Sequence, residues 1–88
     1  MKTQIFYFEY TDLFNGECNY SWIRRYRIKA SSTRGAVNIL SKYLRVSSFR
    51  FDGGFMWVSR SGNTGFYEIE EHEISYGEER LNYIPINF

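Results

Sequence analysis

The 88 residues include only one cysteine, one proline and one histidine, so the sequence has few residues that could form a disulfide, kink a helix or act as a histidine base. A single cysteine, Cys18, cannot form an internal disulfide, so the hydrophobic core must hold the fold, as suits a reducing compartment. No uncharged apolar run approaches the roughly 18 residues that a membrane span requires, and the N-terminus lacks a signal-peptide cleavage site. We therefore expect one domain over residues 1–88, located in the cytoplasm and without a membrane partner.

The sequence also lacks the common catalytic motifs. It has no G-x-S-x-G, H-E-x-x-H, Walker-type or dinucleotide-binding glycine pattern, and His72 is the sole histidine. Cys18 would need a neighbour that lowers its pKa in order to act as a nucleophile, but Glu17 beside it has the opposite effect. We predict a protein that is not an enzyme and uses no cofactor.

One short series of potential metal ligands lies near the end of the chain. Glu68, Glu70 and His72 alternate along a predicted strand, so their side chains would share one face. Ligands two residues apart on a strand are separated by about 6.6 Å, and a compact site normally takes a ligand from a second element. These three residues are the candidate metal ligands, but the favoured prediction is an acidic strand without a metal.

The sequence is rich in aromatic residues, and its charges are unevenly distributed along the chain. It has 8 Phe, 8 Tyr and 2 Trp, and its net charge is only +1. Residues 24–60 carry nine Lys or Arg against one acid, whereas residues 61–88 carry six Glu against one Arg. Such a distribution indicates either a basic binding surface with an acidic flank or two segments that neutralise each other in the fold.

The hydrophobic pattern predicts an α+β fold. Aromatic and β-branched residues favour strands at residues 5–10 and 20–30, and residues 49–74 are typical of a three-stranded meander with glycine turns. Between them, Ser31 or Ser32 can cap a helix with apolar side chains at helical spacing. The predicted order is β-β-α-β-β-β, an antiparallel sheet of four to five strands with one helix (about residues 32–45) packed on one face. Residues 75–88 are expected to form a tail that packs on the body or adds an edge strand.

The turn at Asn15-Gly16 leaves two registers open for the first hairpin. A two-residue loop would place Phe8 opposite Ile23, whereas a three-residue loop would place Phe8 beside Trp22. The second register gathers the large rings on one face, so we favour it.

The sheet face that the helix leaves uncovered is the predicted binding surface. Alternation along the second strand places basic side chains there, where guanidinium groups can bind phosphate or carboxylate and an interleaved tyrosine can stack. The alternative is a solvated face on which Glu9, Glu68 and Glu70 neutralise the cations. The predicted partner-binding residues, which include some from the meander, are Tyr7, Ile23, Arg25, Arg27, Lys29, Arg50, Trp57 and Arg60.

The centre of the chain reads Ile28-Lys29-Ala30-Ser31-Ser32-Thr33-Arg34-Gly35-Ala36-Val37, and a short aromatic meander then ends Phe66-Tyr67-Glu68-Ile69. This pattern of strand, serine cap, amphipathic helix and hairpin, which covers residues 3–74, resembles many small accessory proteins of bacteriophages. Among them are single-domain inhibitors of the anti-CRISPR type. The resemblance implies a stoichiometric binding protein that blocks a host protein or ribonucleoprotein complex, for example a defence complex, in the host-cell cytoplasm. No functional residue carries over from it.

Three functional hypotheses follow. The leading one is a non-enzymatic, phage-type accessory protein that binds a host protein or complex, because Tyr, Trp and Arg are enriched in interface hot spots. The first alternative is a small nucleic-acid-binding module that uses the basic, aromatic sheet face. The second alternative is a structural subunit that self-associates through an unpaired edge strand.

Overall fold

The computed structural model describes residues 2–46, 48–74 and 82–88, which form six strands and one α-helix. The elements in chain order are β1 (Gln4–Phe14), β2 (Glu17–Ala30), α1 (Thr33–Leu44), β3 (Arg50–Phe51), β4 (Met56–Val58), β5 (Thr64–Ile69), a 3-10 helix (Glu71–Glu73) and β6 (Ile84–Ile86). The strands make one sheet in the order β3-β4-β5-β1-β2-β6, and all neighbours are antiparallel except β2 and β6. The predicted α+β class with one helix is confirmed, with six described strands in place of four to five.

The first hairpin has a two-residue turn, so the predicted three-residue loop is wrong. Phe14 pairs with Glu17 across Asn15-Gly16, both of which have positive φ. Farther along the hairpin the register shifts, and Phe8 pairs with Tyr26, where we expected Trp22. Trp22 still lies beside Tyr10 on the face of the large rings, as predicted, but Tyr20 contacts Tyr67 on the other face, where we expected it beside Tyr10.

An irregularity in β2 causes this shift. Between the pairs Thr11–Ile23 and Leu13–Cys18, four residues of β2 (19–22) lie opposite Asp12 alone. The Asp12 carboxylate accepts hydrogen bonds from the Ser21 backbone N–H at 3.0 Å, the Ser21 hydroxyl and the Asn19 side-chain amide. These bonds hold the pKa of Asp12 well below its usual range. Asp12 therefore clamps a long bulge, beyond which Phe8 pairs with Tyr26.

The helix begins and ends as its sequence indicates. Ser32 is the N-cap, and its hydroxyl accepts the Gly35 N–H at 3.1 Å. A side chain at position 35 would place its Cβ 3.3 Å from that hydroxyl oxygen, a tight contact that glycine avoids. The buried side of α1 carries Ala36, Val37 and Leu40, which pack in one core with Phe8, Tyr26 and Ile28 of the sheet. We call this side of the sheet the helix face.

Aromatic rings fill the part of the helix face that α1 leaves open. Phe8 and Phe66 are fully buried and meet edge to face at 5.6 Å between ring centroids. Phe49, from the segment between α1 and β3, packs against Phe66 at 4.6 Å. The segment after the helix is therefore fixed to the sheet by its own ring.

The opposite face of the sheet is also covered, in part, by the chain. Tyr7, Ile74 and Tyr83 are each buried to less than 5% exposure and form a second small core. The expectation that α1 covers one face and leaves the other open is therefore wrong. The second face is partly covered because residues 74 and 83 fold back over β1 and bury apolar surface there.

No helix in residues 2–46, 48–74 and 82–88 is long and apolar enough to cross a membrane.

Candidate functional site

Tyr7 cannot serve as a surface residue for a partner. Its side chain is 4% exposed, and its ring meets the ring of Tyr83 edge to face at 5.3 Å. The prediction that Tyr7 projects outward for stacking is therefore wrong, because residue 83 occupies that space.

Arg25 takes part in a network within the protein. Its Nε donates to Glu9 Oε2 at 2.8 Å, and Glu9 Oε1 accepts the hydroxyl of Tyr67 at 2.7 Å. The Tyr67 hydroxyl is in turn 2.7 Å from that of Tyr20. Burial, and then the hydrogen bond to Glu9, raises the pKa of Tyr67 far above its usual value. Glu9, rather than Glu68, thus neutralises the first cation of the predicted surface.

The other cations of β2 lie beside the C-terminal segment. Arg27 Nε donates to the Tyr83 carbonyl at 3.2 Å, and its guanidinium lies 5.0 Å from the centroid of the Phe88 ring. Lys29 is exposed, but its backbone carbonyl accepts the side-chain amide of Asn87 at 2.9 Å. Ile23 is half-buried. This end of the predicted surface therefore fastens β6 to β2.

The predicted residues of the meander lie elsewhere. Trp57 is on the helix face and stacks on Phe66, with 13° between the ring planes and 5.6 Å between centroids. Arg50 and Arg60 line one depression of about 330 Å³ together with Ser48. Of the eight predicted residues, the structure brings these two arginines together in a recess.

That recess adjoins two shallow, open depressions, and together they form a shallow groove between the C-terminal end of α1 and the β4–β5 turn. Adjoining depressions of about 520 and 620 Å³ share Ser48, Arg45, Val46 and Arg60 with it or with each other. We call the whole the basic groove. Its described lining residues are Asn38, Ser41, Lys42, Arg45, Val46, Ser48, Arg50, Arg60 and Ser61.

The basic groove carries four positive charges and, among its described lining residues, no acid. Lys42, Arg45, Arg50 and Arg60 are all exposed. The one ion pair among the described residues joins Arg25 to Glu9 on the other face of the sheet, so these four cations have no described carboxylate within salt-bridge distance. Guanidinium groups bind phosphate or carboxylate in a planar, bidentate manner, and serine hydroxyls add further donors. The groove is therefore suited to an extended anion.

Local backbone structure positions the four cations. Arg45 ends α1 in the left-handed conformation, with its N–H donating to the Lys42 carbonyl at 3.1 Å. Across the groove, the turn that carries Arg60 is closed by Gly62 N–H to Ser59 carbonyl at 2.9 Å. The two elements that carry Arg45 and Arg60 are thus each held by a backbone hydrogen bond.

Sequence reasoning missed Lys42 and Arg45. Their helical spacing with Asn38 and Ser41 places all four on one polar side of α1. That pattern indicates a solvent-exposed side of the helix. It does not indicate that this side lies near Arg60, which belongs to a turn later in the chain.

The candidate metal ligands do not converge. β5 ends at Ile69, and His72 lies in the 3-10 helix, so the predicted strand through residue 74 is wrong. Glu68 pairs with Phe8 across the sheet, and burial, followed by repulsion from Glu70, raises its pKa. Within residues 2–46, 48–74 and 82–88, no group of three or more His, Cys, Asp or Glu side chains could hold a metal ion.

Comparison with protein-family models, curated proteins and solved structures found no match for this chain. The functional argument therefore starts from the chemistry of the basic groove.

Proposed function

We propose that this protein is a non-enzymatic module that binds nucleic acid through the basic groove. The observation that carries the proposal is the set of four exposed cations in one groove, none of them paired with a described carboxylate. No described carboxylate neutralises these cations, and an anion bound in the groove would supply the opposite charge. A phosphate backbone supplies such anions at regular intervals.

The groove offers each phosphate both charge and hydrogen bonds. Arg50 and Arg60 lie in the same recess with the Ser48 hydroxyl, and Arg45 lies in the adjoining one with Ser61. Arginine forks and serine hydroxyls are among the groups that commonly contact phosphate oxygens. Residues on two sides of the groove could therefore follow successive phosphates of one strand.

Paired charge reversals test this proposal. In fluorescence anisotropy with a labelled oligonucleotide at low salt, Arg50→Glu plus Arg60→Glu should abolish binding. The matched control, Lys2→Glu plus Lys29→Glu, changes the net charge equally with two exposed lysines outside the groove, and it should retain most of the affinity.

Two outcomes would overturn the proposal. One is an absence of oligonucleotide binding by the native protein, and the other is an equal loss of binding in both double variants. If polyglutamate binds the groove while the oligonucleotide does not, an acidic protein replaces nucleic acid as the partner class.

The leading sequence hypothesis, binding to a host protein, remains a second candidate because of exposed rings on the other face. Tyr20 and Phe55 are 53% and 62% exposed, and both contact Tyr67, by a hydroxyl contact and an edge-to-face ring contact respectively. Exposed rings of this kind anchor protein interfaces. This candidate predicts a discrete host protein that the chain retains after nuclease treatment and that Tyr20→Ser plus Phe55→Ser releases. Retention unaffected by that variant would contradict it.

Self-association through an edge strand gains less support. The outer strands of the sheet, β3 and β6, contain two and three residues. Each therefore offers few backbone groups for pairing with a second copy.

A further inference from the structure

One aromatic ring lies exposed at the edge of the sheet, next in sequence to a groove arginine. Phe51 follows Arg50 in the two-residue strand β3, and its side chain is 48% exposed. Consecutive residues of a strand project to opposite faces, so Arg50 and Phe51 lie on the two sides of this edge. Because β3 is the outermost strand of the sheet, a ligand held by Arg50 would reach Phe51 by passing around this edge.

Phe51 is the outermost ring of an aromatic series. Its ring centroid is 5.0 Å from that of Trp57, and Trp57 stacks on the fully buried Phe66. Phe66 and Trp57 hold the inner side of the series in place, so the orientation of Phe51 is partly fixed before binding. Phe51 as a whole residue is 48% exposed, which leaves surface on which another planar ring could continue the series.

We infer that the ligand of the basic groove is single-stranded nucleic acid, with one base stacked on Phe51 while Arg50 and Arg60 hold neighbouring phosphates. This inference rests on the proposed function and adds the class of nucleic acid to it. Single strands expose the π-faces of their bases, and proteins that bind them combine a positively charged groove with aromatic stacking platforms. In a duplex the bases are already stacked and paired, so only the phosphates would be left for this site to bind.

The test compares a single strand of about 20 nucleotides, longer than the usual site of a small domain, with a duplex of the same sequence. Phe51→Leu keeps an apolar side chain but removes the π-face, so it should weaken single-strand binding by about 5- to 150-fold. Phe51→Trp should restore the affinity, and duplex binding should change little in either variant. Phe14→Leu is the matched control, because Phe14 is an exposed phenylalanine at the hairpin turn, outside the groove lining.

Intrinsic fluorescence gives a second readout at the stacking position. In a Trp22→Phe background, Trp57 is the remaining tryptophan and lies in ring contact with Phe51. Saturation with the single strand should change the Trp57 emission, whereas saturation with the duplex should leave it nearly unchanged. Thermal unfolding of each variant checks that the fold is retained, and the Phe51→Trp rescue keeps the test valid if Phe51→Leu loses stability.

The outcomes distinguish a failure of this stacking inference from a failure of the proposed nucleic-acid binding. If Arg50→Glu plus Arg60→Glu abolishes binding while Phe51→Leu binds the single strand as the native chain does, the stacking inference is wrong and the nucleic-acid proposal remains. Equal affinity for the duplex and the single strand, or no change in Trp57 emission, would also overturn the inference. If the arginine reversals have no effect, the proposed function itself fails.

Discussion

Salt dependence provides the sharpest quantitative test of the basic groove. Each phosphate that a protein neutralises on a single strand contributes about −0.7 to the slope of log affinity against log salt concentration. If Lys42, Arg45, Arg50 and Arg60 each neutralise one phosphate, the slope should be about −2.8. Raising the salt from about 50 to 200 mM should then lower the affinity by about 50-fold.

Removing one groove cation should make the slope less steep by the contribution of one phosphate, about 0.7. Arg60→Ala is expected to have a slope of about −2.1, which corresponds to about a 20-fold loss over the same salt range. Arg50→Ala plus Arg60→Ala should have a slope of about −1.4 and lose about 7-fold. Lys29→Ala, which removes an exposed cation outside the groove lining, should leave the slope unchanged.

Anisotropy titrations at four or more salt concentrations would give these slopes. The reasoning fails if the slope of the native protein is near zero, since the ligand would then be held without ion release. It also fails if Arg60→Ala and Lys29→Ala reduce the slope equally, because the phosphate contacts would then not be confined to the groove.

Three further predictions concern the fold that supports the site. Leu40→Ala should lower the free energy of unfolding in urea by about 2–5 kcal/mol, because Leu40 is fully buried between α1 and the sheet and its truncation leaves a cavity. A loss below about 1 kcal/mol would contradict this packing. The pKa of Asp12 is lower in the fold than in the unfolded chain, so its hydrogen bonds stabilise the fold above the unfolded pKa of about 4 and are lost as pH falls through the folded value. As pH falls from about 7 to about 2.5, the urea midpoint of unfolding should therefore fall more steeply in the native chain than in Asp12→Asn. Parallel curves of midpoint against pH would show that the Asp12 carboxylate does not stabilise the bulge. Arg45→Gly should raise the unfolding free energy by up to about 1 kcal/mol while weakening oligonucleotide binding, and a gain in both would exclude Arg45 from the site.

The helix could be predicted because its signals are local. The Ser32 cap and the spacing of Ala36, Val37 and Leu40 lie within one short segment, and each is satisfied within that segment or by the nearest strands. The same holds for the gathering of rings on one side of β1, which follows from strand alternation alone.

The bulge in β2 could not be predicted from alternation. Trp22 and Tyr20 continue the apolar pattern of Tyr26 and Ile28, so the sequence indicates one unbroken strand face. In the structure the Asp12 clamp turns this segment, and the Tyr20 hydroxyl contacts Tyr67 on the opposite side of the sheet from Tyr26. A carboxylate that satisfies backbone and side-chain donors of the facing strand leaves no periodic signal in the sequence.

The candidate site could be predicted only in part, for a related reason. Arg50 and Arg60 stood out as cations of a meander, but sequence alone grouped them with Arg25, which is paired with Glu9. In the structure Arg60 lines one depression with Arg45, and Lys42 lines the adjoining one with Arg45 at the end of the helix. Which polar side of a helix meets which turn depends on the path of the segment between them, and no local pattern encodes that path.

The backbone of that connecting segment is in the left-handed conformation at two positions that line the groove. Arg45 and Ser48 have φ of 56° and 67°, in the left-handed region that costs about 1–2 kcal/mol for residues other than glycine. Glycine would relieve that cost at either position, yet both residues line the groove, where glycine would remove a cation or a hydroxyl. Asn15, Tyr20 and Asn87, outside the groove lining, also have positive φ. Glycine at position 45 or 48 would therefore remove a backbone cost together with the side chain that lines the groove.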